Sequence, residues 1–443
     1  MDLSPDLLVI GGGMAGLTAA ARASRDGQRA TVVEVSSDVG GSGRFAGYIW
    51  TVPSDAVMDE QNPDGDEALK RALVERFDAA VDWIRSTGVE AGPSQRILSF
   101  GQGHGFDTNQ YVDTCRRIVT ESGGQVLLST TTEELLVGHG AVAGARLRLP
   151  TGEVVEIRAR NTVLATGGFQ ADPAMRERLL GAGAGAMPLR SNPNSKGDGL
   201  RLATAVGAAT GLEGAGFYGH LVPSGVPFKD SGDFVDLSLY YSEHALLFNL
   251  DNERFVDETL GDHLTTVALS EQPEARGLLI ADGRVRRDWM VPAYVEGAVS
   301  VDKFALASRR GGRTGLAESL EELEYLPEEW GYDGAAIRSA IERFNTEVTA
   351  GTTGTTPGRK LDATPLDEPP YYVIETTPAI TFPFAGLLID DRSRVMTVDG
   401  APIPGLLAAG ADTGGLWNRA YAGGLAAAIV FGLTAARTHL ETS

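Results

Sequence analysis

Three glycines at Gly11-x-Gly13-x-x-Gly16 stand between an apolar run, Leu7-Leu8-Val9-Ile10, and an alanine-rich stretch from Met14. That spacing suits a dinucleotide's pyrophosphate. The first glycine makes a tight turn, the second lets backbone approach the phosphates, and the third lets helix and strand pack closely. The helix that follows offers free N–H groups and positive potential to the anion. Glu34 lies some twenty residues on, at the end of a second apolar run, where a carboxylate can accept from ribose hydroxyls. A second glycine cluster, Gly40-Gly41-Ser42-Gly43-Arg44-Phe45-Ala46-Gly47, lets backbone run along the same ligand.

A third cluster lies almost four hundred residues away. Gly405-Leu406-Leu407-Ala408-Ala409-Gly410-Ala411-Asp412 precedes Tyr421-Ala422-Gly423-Gly424-Leu425. It implies that the C-terminus completes the nucleotide domain, which points to FAD rather than NAD.

These residues need a β-α-β unit to position them, and the periodicity supplies one: strand 7–10, helix 14–26 and strand 31–35. A helix is expected over 66–86. Short strands at 125–129, 133–137, 142–149 and 153–159 read as a meander, followed by a strand from Asn161 into Thr166-Gly167-Gly168. A helix is expected at 198–208, strands at 371–376 and 386–389, and a closing helix at 423–440. Between about 213 and 355 the pattern changes to mixed aromatic and charged residues. The expected organisation is an α/β, Rossmann-like FAD-binding domain of glutathione-reductase type, over 1–212 and 361–443, with an inserted α+β cap or substrate domain at 213–360. Thr349–Lys360 would be the loop leaving the insert.

Composition narrows the function. The 443 residues carry a formal charge of −21, which argues against nucleic acid and anionic membrane surfaces as partners. The single cysteine, Cys115, excludes an intramolecular disulfide, an iron–sulfur cluster or a cysteine-based zinc site, and reads as core filling in an amphipathic helix. No histidine spacing suggests a metal. No stretch approaches the roughly 18 apolar residues of a membrane helix, and no signal peptide precedes the first strand, so the expected location is the cytoplasm.

Taken together, the chain resembles the fumarate reductase/succinate dehydrogenase flavoprotein superfamily. Within it, the branch of 3-ketosteroid dehydrogenases and tricarballylate dehydrogenase-like enzymes is the most similar. The motifs that carry the resemblance are the two N-terminal glycine clusters with Glu34, Ala165-Thr166-Gly167-Gly168-Phe169, Gly197-Asp198-Gly199, Asn252-Glu253-Arg254-Phe255-Val256-Asp257-Glu258 and the C-terminal glycines. The resemblance implies non-covalent FAD, because the loop 40–50 lacks the tethering histidine. It implies cofactor contacts at Gly11, Gly13, Met14, Ala15, Gly16, Glu34, Val35, Gly41, Ser42, Arg44, Ala46, Gly47, Thr166, Gly167, Gly168, Asp198, Gly410, Ala411, Asp412, Gly424 and Leu425. It also implies a small-molecule substrate and a separate electron acceptor or donor.

The departures redirect the substrate reading. Where fumarate reductases carry a carboxylate-binding His and Arg, this chain has Trp417 and Tyr421, and the proton-donating Arg position is Asp262. The Tyr-x-Gly-x-Gly match to ketosteroid dehydrogenases implies that Tyr421 and the Leu425 N–H bind a ketone, with Tyr240 or Tyr241 as base. A phenol needs a lowered pKa for that task. Trp417, Phe382 and Phe384 would line the substrate. His220 either touches substrate or is a satisfied loop histidine, and Tyr240 and Tyr241 are either catalytic or structural aromatics. The expected reaction is α,β-desaturation, or its reverse, of a mostly apolar, possibly cyclic ketone. The alternatives are oxidation or reduction of a small carboxylic acid bound by Arg44, Arg419 or His220, and a non-catalytic flavoprotein redox sensor.

Overall fold

The computed structural model describes residues 4–98, 100–211, 216–293, 299–351 and 357–442. The chain divides into two compact units. The first comprises 1–185, 191–217 and 382–443, and the second 186–190 and 218–381. Residue 213, where the sequence places the start of the insert, lies outside the described residues, as do 352–356 of the glycine-threonine loop.

The first unit is organised by a six-stranded sheet in the order Arg394–Met396, Pro402–Ala408, Asn161–Leu164, Leu7–Ile10, Ala30–Val33, Gln125–Leu127. All neighbours are parallel except the first pair. Leu7–Ile10 and Ala30–Val33 are buried along their whole length, as expected for a parallel sheet covered on both faces. Helix Met14–Arg25 is the crossover between them. Its alanine face packs against the last helix, Gly424–Glu441, where Gly432 approaches the Ala15 backbone so closely that a Cβ would stand 2.6 Å from the Ala15 carbonyl oxygen. Cys115 is fully buried in helix Thr108–Glu121, the core position expected of it.

Several elements differ from their expected bounds, each for a tertiary reason. The helix expected over 66–86 is two, Glu67–Glu75 and Phe77–Ser86, broken at Arg76. The Arg76 guanidinium donates to Asp391 and to Thr434, contacts a continuous helix would have to forgo. The strand near 125 belongs to the main sheet, parallel to Ala30–Val33, and the meander is Thr131–Gly138, Ala141–Arg148 and Val154–Arg158 alone. The second strand stops at Val33, and Val35 is exposed. The helix at 198 ends early, at Thr204.

The second unit is organised by a sheet in the order Phe217–Pro223, Tyr371–Pro383, Gly277–Ala281, Leu246–Phe248, with Thr314–Ala317 also pairing to Tyr371–Pro383; Gly277–Ala281 runs antiparallel to both its neighbours, and Thr314–Ala317 antiparallel to Tyr371–Pro383. Tyr371–Pro383 is more than twice the length the alternation suggests, because it pairs on both sides. One face packs on helix Gly334–Thr349 through Ile337, Ile341 and Phe344. The other packs through Leu221, Tyr241, Leu279 and Met290. Among the described residues no helix is long and apolar enough to cross a membrane, and no group of three His, Cys, Asp or Glu side chains could hold a metal ion.

Candidate functional site

The nucleotide motif takes the geometry its spacing demands. Gly11 has φ +106°, and a Cβ there would sit 2.1 Å from the Ala165 carbonyl oxygen, so only glycine fits the turn. Gly13 precedes helix Met14–Arg25 with no side-chain cap and no acid in the first turn, and a Cβ on Gly13 would meet nothing within 4 Å. An uncapped, acid-free helix start beside open space is what a pyrophosphate requires. Glu34 is buried and ties the motif together. Its Oε2 accepts from the Gly12 N–H at 2.7 Å and its Oε1 from Ser36 N–H at 2.8 Å. Gly40 N–H donates to the Gly12 carbonyl at 2.8 Å, which brings the Gly41-Ser42 turn beside Gly13. Ser42 Oγ lies 2.9 Å from Ser191 Oγ, and Ser191 accepts from Gln170 Nε2. Val35, Ala46, Gly47 and Gly410 stand in the same segments as their glycine neighbours, and Val35 and Ala46 are exposed.

Asp412 is buried, and both of its carboxylate oxygens are taken by protein donors: Thr166 N–H at 2.5 Å, Thr166 Oγ1 at 2.9 Å and Gly168 N–H at 2.8 Å. Burial pushes its pKa up against those donors. It therefore fastens the Thr166-Gly167-Gly168 turn to the Gly410-Ala411 segment rather than offering itself to a ligand. Arg44 is held by Val39 O, Asn109, Asp113 and Asp38, so its guanidinium is committed to the protein and is not a free carboxylate clamp. Asp198 pairs with Arg201 in the first turn of its helix. Arg419 is exposed and donates to Gln61.

At the start of helix Gly424–Glu441 the rings gather. Gly423 has φ +100° and no side chain caps the helix. The Tyr421 ring lies 5.2 Å from Trp50, 5.6 Å from Phe382 and 5.6 Å from Trp417, and Phe384 lies 5.7 Å from Trp417. These are edge-on and tilted contacts of the stable kind. Trp417 is 5% exposed, and its indole N–H has no hydrogen-bond partner among the described residues. Leu425 occupies the first turn of the helix, partly exposed beside Gly424. Trp50 comes from strand Tyr48–Thr51, and its place in this cluster rests on long-range packing that no local pattern marks.

The second unit carries a different set. Arg190 donates to Phe234 O at 2.7 Å, Ser238 Oγ at 3.0 Å, Thr381 Oγ1 at 3.1 Å and the Tyr240 hydroxyl at 3.0 Å. Lys303 lies 5.6 Å from the Tyr240 ring centroid and donates to Val235 O at 2.6 Å. Burial lowers its pKa to about 8. His220 is buried, with Nδ1 against Asp262 Oδ2 and Nε2 2.9 Å from the Tyr218 hydroxyl. Asp262 also accepts from Leu221 N–H at 3.2 Å. Burial, with the Arg190 charge, holds His220 well below the usual histidine range. Burial raises Asp262 to about 7, opposed by the Leu221 N–H and by Arg190. His220 is thus a satisfied histidine with both ring nitrogens hydrogen-bonded, carried on strand Phe217–Pro223 rather than on a loop.

Tyr241 does not join this set. It is 3% exposed in the core, its hydroxyl lacks a partner among the described residues, and burial raises its pKa. A base needs the opposite shift, so of the adjacent pair Tyr240 alone is placed among charged side chains. Arg190, Lys303 and Tyr218 escaped the sequence reading, since no local motif marks them.

Comparison with known proteins follows this geometry. The profile of a family described as "FAD binding domain" matches residues 6–425. The chain is 25% identical to the NADH:fumarate oxidoreductase of Klebsiella pneumoniae (strain 342), over 98% of this chain and 47% of that protein. It is 27% identical to the 4-oxocyclohexanecarboxylate 2-dehydrogenase of Sinomonas cyclohexanicum, over 68% of this chain and 54% of that protein. The chain thus spans about half the length of these curated relatives. In fold it is similar to the 3-ketosteroid delta1-dehydrogenase of Sterolibacterium denitrificans, with a TM-score of 0.79, 19% identity and coverage of 99% of this chain and 100% of that one. The chain belongs to the FAD-binding domain family, and its cofactor is FAD.

Proposed function

We propose, with membership of the FAD-binding family as the premise, that this chain forms or reduces a carbon–carbon double bond next to a carbonyl in a mostly apolar, cyclic ketone. One observation carries the reading: the group around Tyr421 consists of neutral rings, Trp50, Phe382, Phe384 and Trp417, beside an uncapped helix start. A carboxylate would find no cation within that ring set, whereas a ketone oxygen finds a phenol, an indole N–H and the Leu425 N–H. FAD, held without a covalent bond by Gly11, Gly13, Gly16, Glu34, Gly41, Ser42 and Thr166 to Gly168, supplies two-electron chemistry when bound. Tyr421 and the Leu425 N–H hold the carbonyl oxygen and stabilise the enolate that forms when the adjacent carbon loses its proton. The partner in electron transfer is a separate electron acceptor or donor, and the reaction runs in the cytoplasm. One relative fits this chemistry, a 4-oxocyclohexanecarboxylate 2-dehydrogenase, named for a cyclic oxo compound.

A second reading, reduction of a small unsaturated acid, is favoured by Arg190 and Lys303, two cations near one another in the second unit, and by the fumarate oxidoreductase relative. Anaerobic spectroscopy separates the two. The yellow holoprotein is mixed with saturated cyclic ketones, including 4-oxocyclohexanecarboxylate, and separately with succinate and other polycarboxylates. Bleaching by ketones, slowed about 100-fold in Tyr421→Phe with FAD retained, is the expected result. Bleaching by plain polycarboxylates alone would transfer the function to the second reading.

A further inference from the structure

We propose that Asn62 is the positioning residue for the two side-chain donors of the ring cluster, Trp417 and Tyr421, and that it sets them as a pair. The proposal rests on the reading that this pair holds the substrate's oxygen, and every group it uses lies in the first unit.

The two donors stand at either end of the tripeptide Asn418-Arg419-Ala420. This stretch belongs to no helix or strand, so no backbone ladder fixes it. A single side chain does. The Asn62 amide oxygen accepts from Asn418 N–H at 3.1 Å, Arg419 N–H at 3.1 Å and Ala420 N–H at 3.0 Å. Its amide nitrogen donates to the Ala420 carbonyl at 3.0 Å and to the Met58 sulfur at 3.8 Å. Turned over, the amide would set its NH2 against three N–H donors, so one orientation alone satisfies the loop. Three successive N–H groups converging on one point make the kind of concavity that elsewhere holds an anion. Here the neutral amide oxygen of a fully buried side chain fills it.

Asn62 is itself held from behind. It follows helix Asp55–Gln61, and its N–H donates to Met58 O at 2.8 Å. Its own carbonyl accepts from Gly65 N–H at 3.2 Å and from Lys70 Nζ at 3.1 Å, a buried ammonium that also meets Asp59 Oδ1 at 2.6 Å. The turn Pro63-Asp64-Gly65-Asp66 then runs along the same loop. Asp66 N–H donates to Gly415 O at 2.7 Å. Asp64 N–H donates to Asn418 Oδ1 at 3.2 Å, and Asn418 Nδ2 returns a bond to Asp64 Oδ2 at 3.1 Å. A Cβ on Gly65 would stand 2.5 Å from Leu416 O, so the two backbones are in direct contact.

Hydrogen bonds of this kind fix direction as well as distance. The Trp417 and Tyr421 rings lie 5.6 Å apart, and the buried Trp417 indole N–H has no partner among the described residues. An indole N–H and a phenol share one oxygen only if their polar atoms converge, and that convergence depends on the three residues between them. With 418–420 released, both rings can still pack on Phe382, since apolar contact is non-directional. The cluster then survives while the alignment of its donors is lost. Loss of Asn62 therefore shows in turnover through Trp417 and Tyr421, and not independently of them.

The experiment is a mutant cycle on holoprotein, read by anaerobic bleaching with whichever substrate class bleaches wild type. Asn62→Leu is close in shape and removes both hydrogen-bonding atoms. It should slow bleaching about 30-fold, the scale of a small misplacement of a binding group. Introduced into the Tyr421→Phe, Trp417→Phe double variant, where no donor pair is left to position, it should slow bleaching by about threefold or less. Asn62→Asp keeps an acceptor for the three N–H groups and loses only the donor to Ala420. It should stay within about fivefold of wild type, and that loss should vanish in the double variant. It carries the cycle if Asn62→Leu yields no yellow protein. Equal losses in the two backgrounds would make Asn62 a support of the fold alone and overturn the proposal, even if ketones bleach wild type. Bleaching by polycarboxylates and not by ketones overturns the ketone reading; the cycle run with the acid then upholds Asn62 if the losses are coupled and overturns it if they are equal. A wild type bleached by neither class removes the donor pair from turnover and the role of Asn62 with it.

Discussion

The two units handle buried polarity in opposite ways. In the first, the buried acids are consumed by backbone: Glu34 by Gly12 and Ser36 N–H, Asp412 by Thr166 and Gly168 N–H. What remains near Tyr421 is neutral rings and a helix start. In the second, buried ionisable side chains face one another: Asp262 against His220, Arg190 against Tyr240, Lys303 over the same ring. Carboxylates tied to backbone N–H groups serve geometry. Side chains that satisfy each other can trade a proton. The contrast is one of local chemistry: backbone-held carboxylates in the first unit, side-chain-to-side-chain polar contacts in the second.

The strongest way to break that comparison is at Gly423. A Cβ there would lie 1.7 Å from the Trp50 carbonyl oxygen, at φ +100°. Nothing flexible can yield, because the obstacle is backbone. Gly423→Ala should cost about 4 kcal/mol or more and abolish recovery of yellow protein. In the second unit Gly261 has nearly the same φ, +101°, and starts the helix that carries Asp262, but a Cβ there would meet nothing within 4 Å. Gly261→Ala pays only for strain, about 1–3 kcal/mol, and should yield folded holoprotein. Thermal melts and the flavin absorbance of both variants check the pair. Equal losses would mean that the first unit's glycine cluster is not the more tightly built of the two.

Asp412 offers a smaller and sharper test. Asp412→Asn replaces one acceptor oxygen by an amide nitrogen facing donors. Thr166 Oγ1 already accepts from Gly199 N–H at 2.9 Å, so at least one N–H of Thr166 or Gly168 loses its partner. The expected cost is about 2 kcal/mol of stability with weakened FAD retention, read by thermal melts and by dialysis of the flavin. Ketone-dependent bleaching of the remaining holoprotein should keep its pH profile, because Asp412 belongs to geometry. A shifted profile would place it with the acid–base groups instead.

The same division explains what was legible in the sequence. Gly11, Gly13 and Gly16 do their work within a few residues of one another, so spacing alone marks them, and helix Met14–Arg25 follows from the alanines behind them. The strand Asn161–Leu164 and the closing helix were legible for the same local reason. The break at Arg76 was not, because its cause is Asp391, over three hundred residues away. Nor was the Tyr218–His220–Asp262 hydrogen-bond cluster, because Tyr218 and His220 are close in sequence but Asp262 reaches them only through the fold. The tyrosine pair 240–241 shows the limit most clearly. Adjacent side chains point to different surroundings, one toward Arg190 and one into the apolar core, and which is which depends on packing that no local pattern records.

The mildest test falls on the one polar atom of the ring cluster that stays unmatched. Trp417 is buried, yet its indole N–H finds no acceptor among the described residues. Such a group costs about 1–3 kcal/mol unless something pays it back. If a substrate carbonyl is that partner, Trp417→Phe keeps the aromatic packing with Phe382, Phe384 and Tyr421 and removes only the donor. KM for the ketone should then rise roughly fivefold, the equivalent of about 1 kcal/mol for one neutral hydrogen bond, with kcat little changed. The free protein should melt at the same temperature or slightly higher, since an orphaned donor has been removed from its interior. A KM that does not move, together with a higher melting temperature, would make Trp417 a packing residue with a misplaced donor, and the carbonyl would rest on Tyr421 and the Leu425 N–H alone. A lower melting temperature would instead show that the indole's extra ring, and not its N–H, is what the cluster needs.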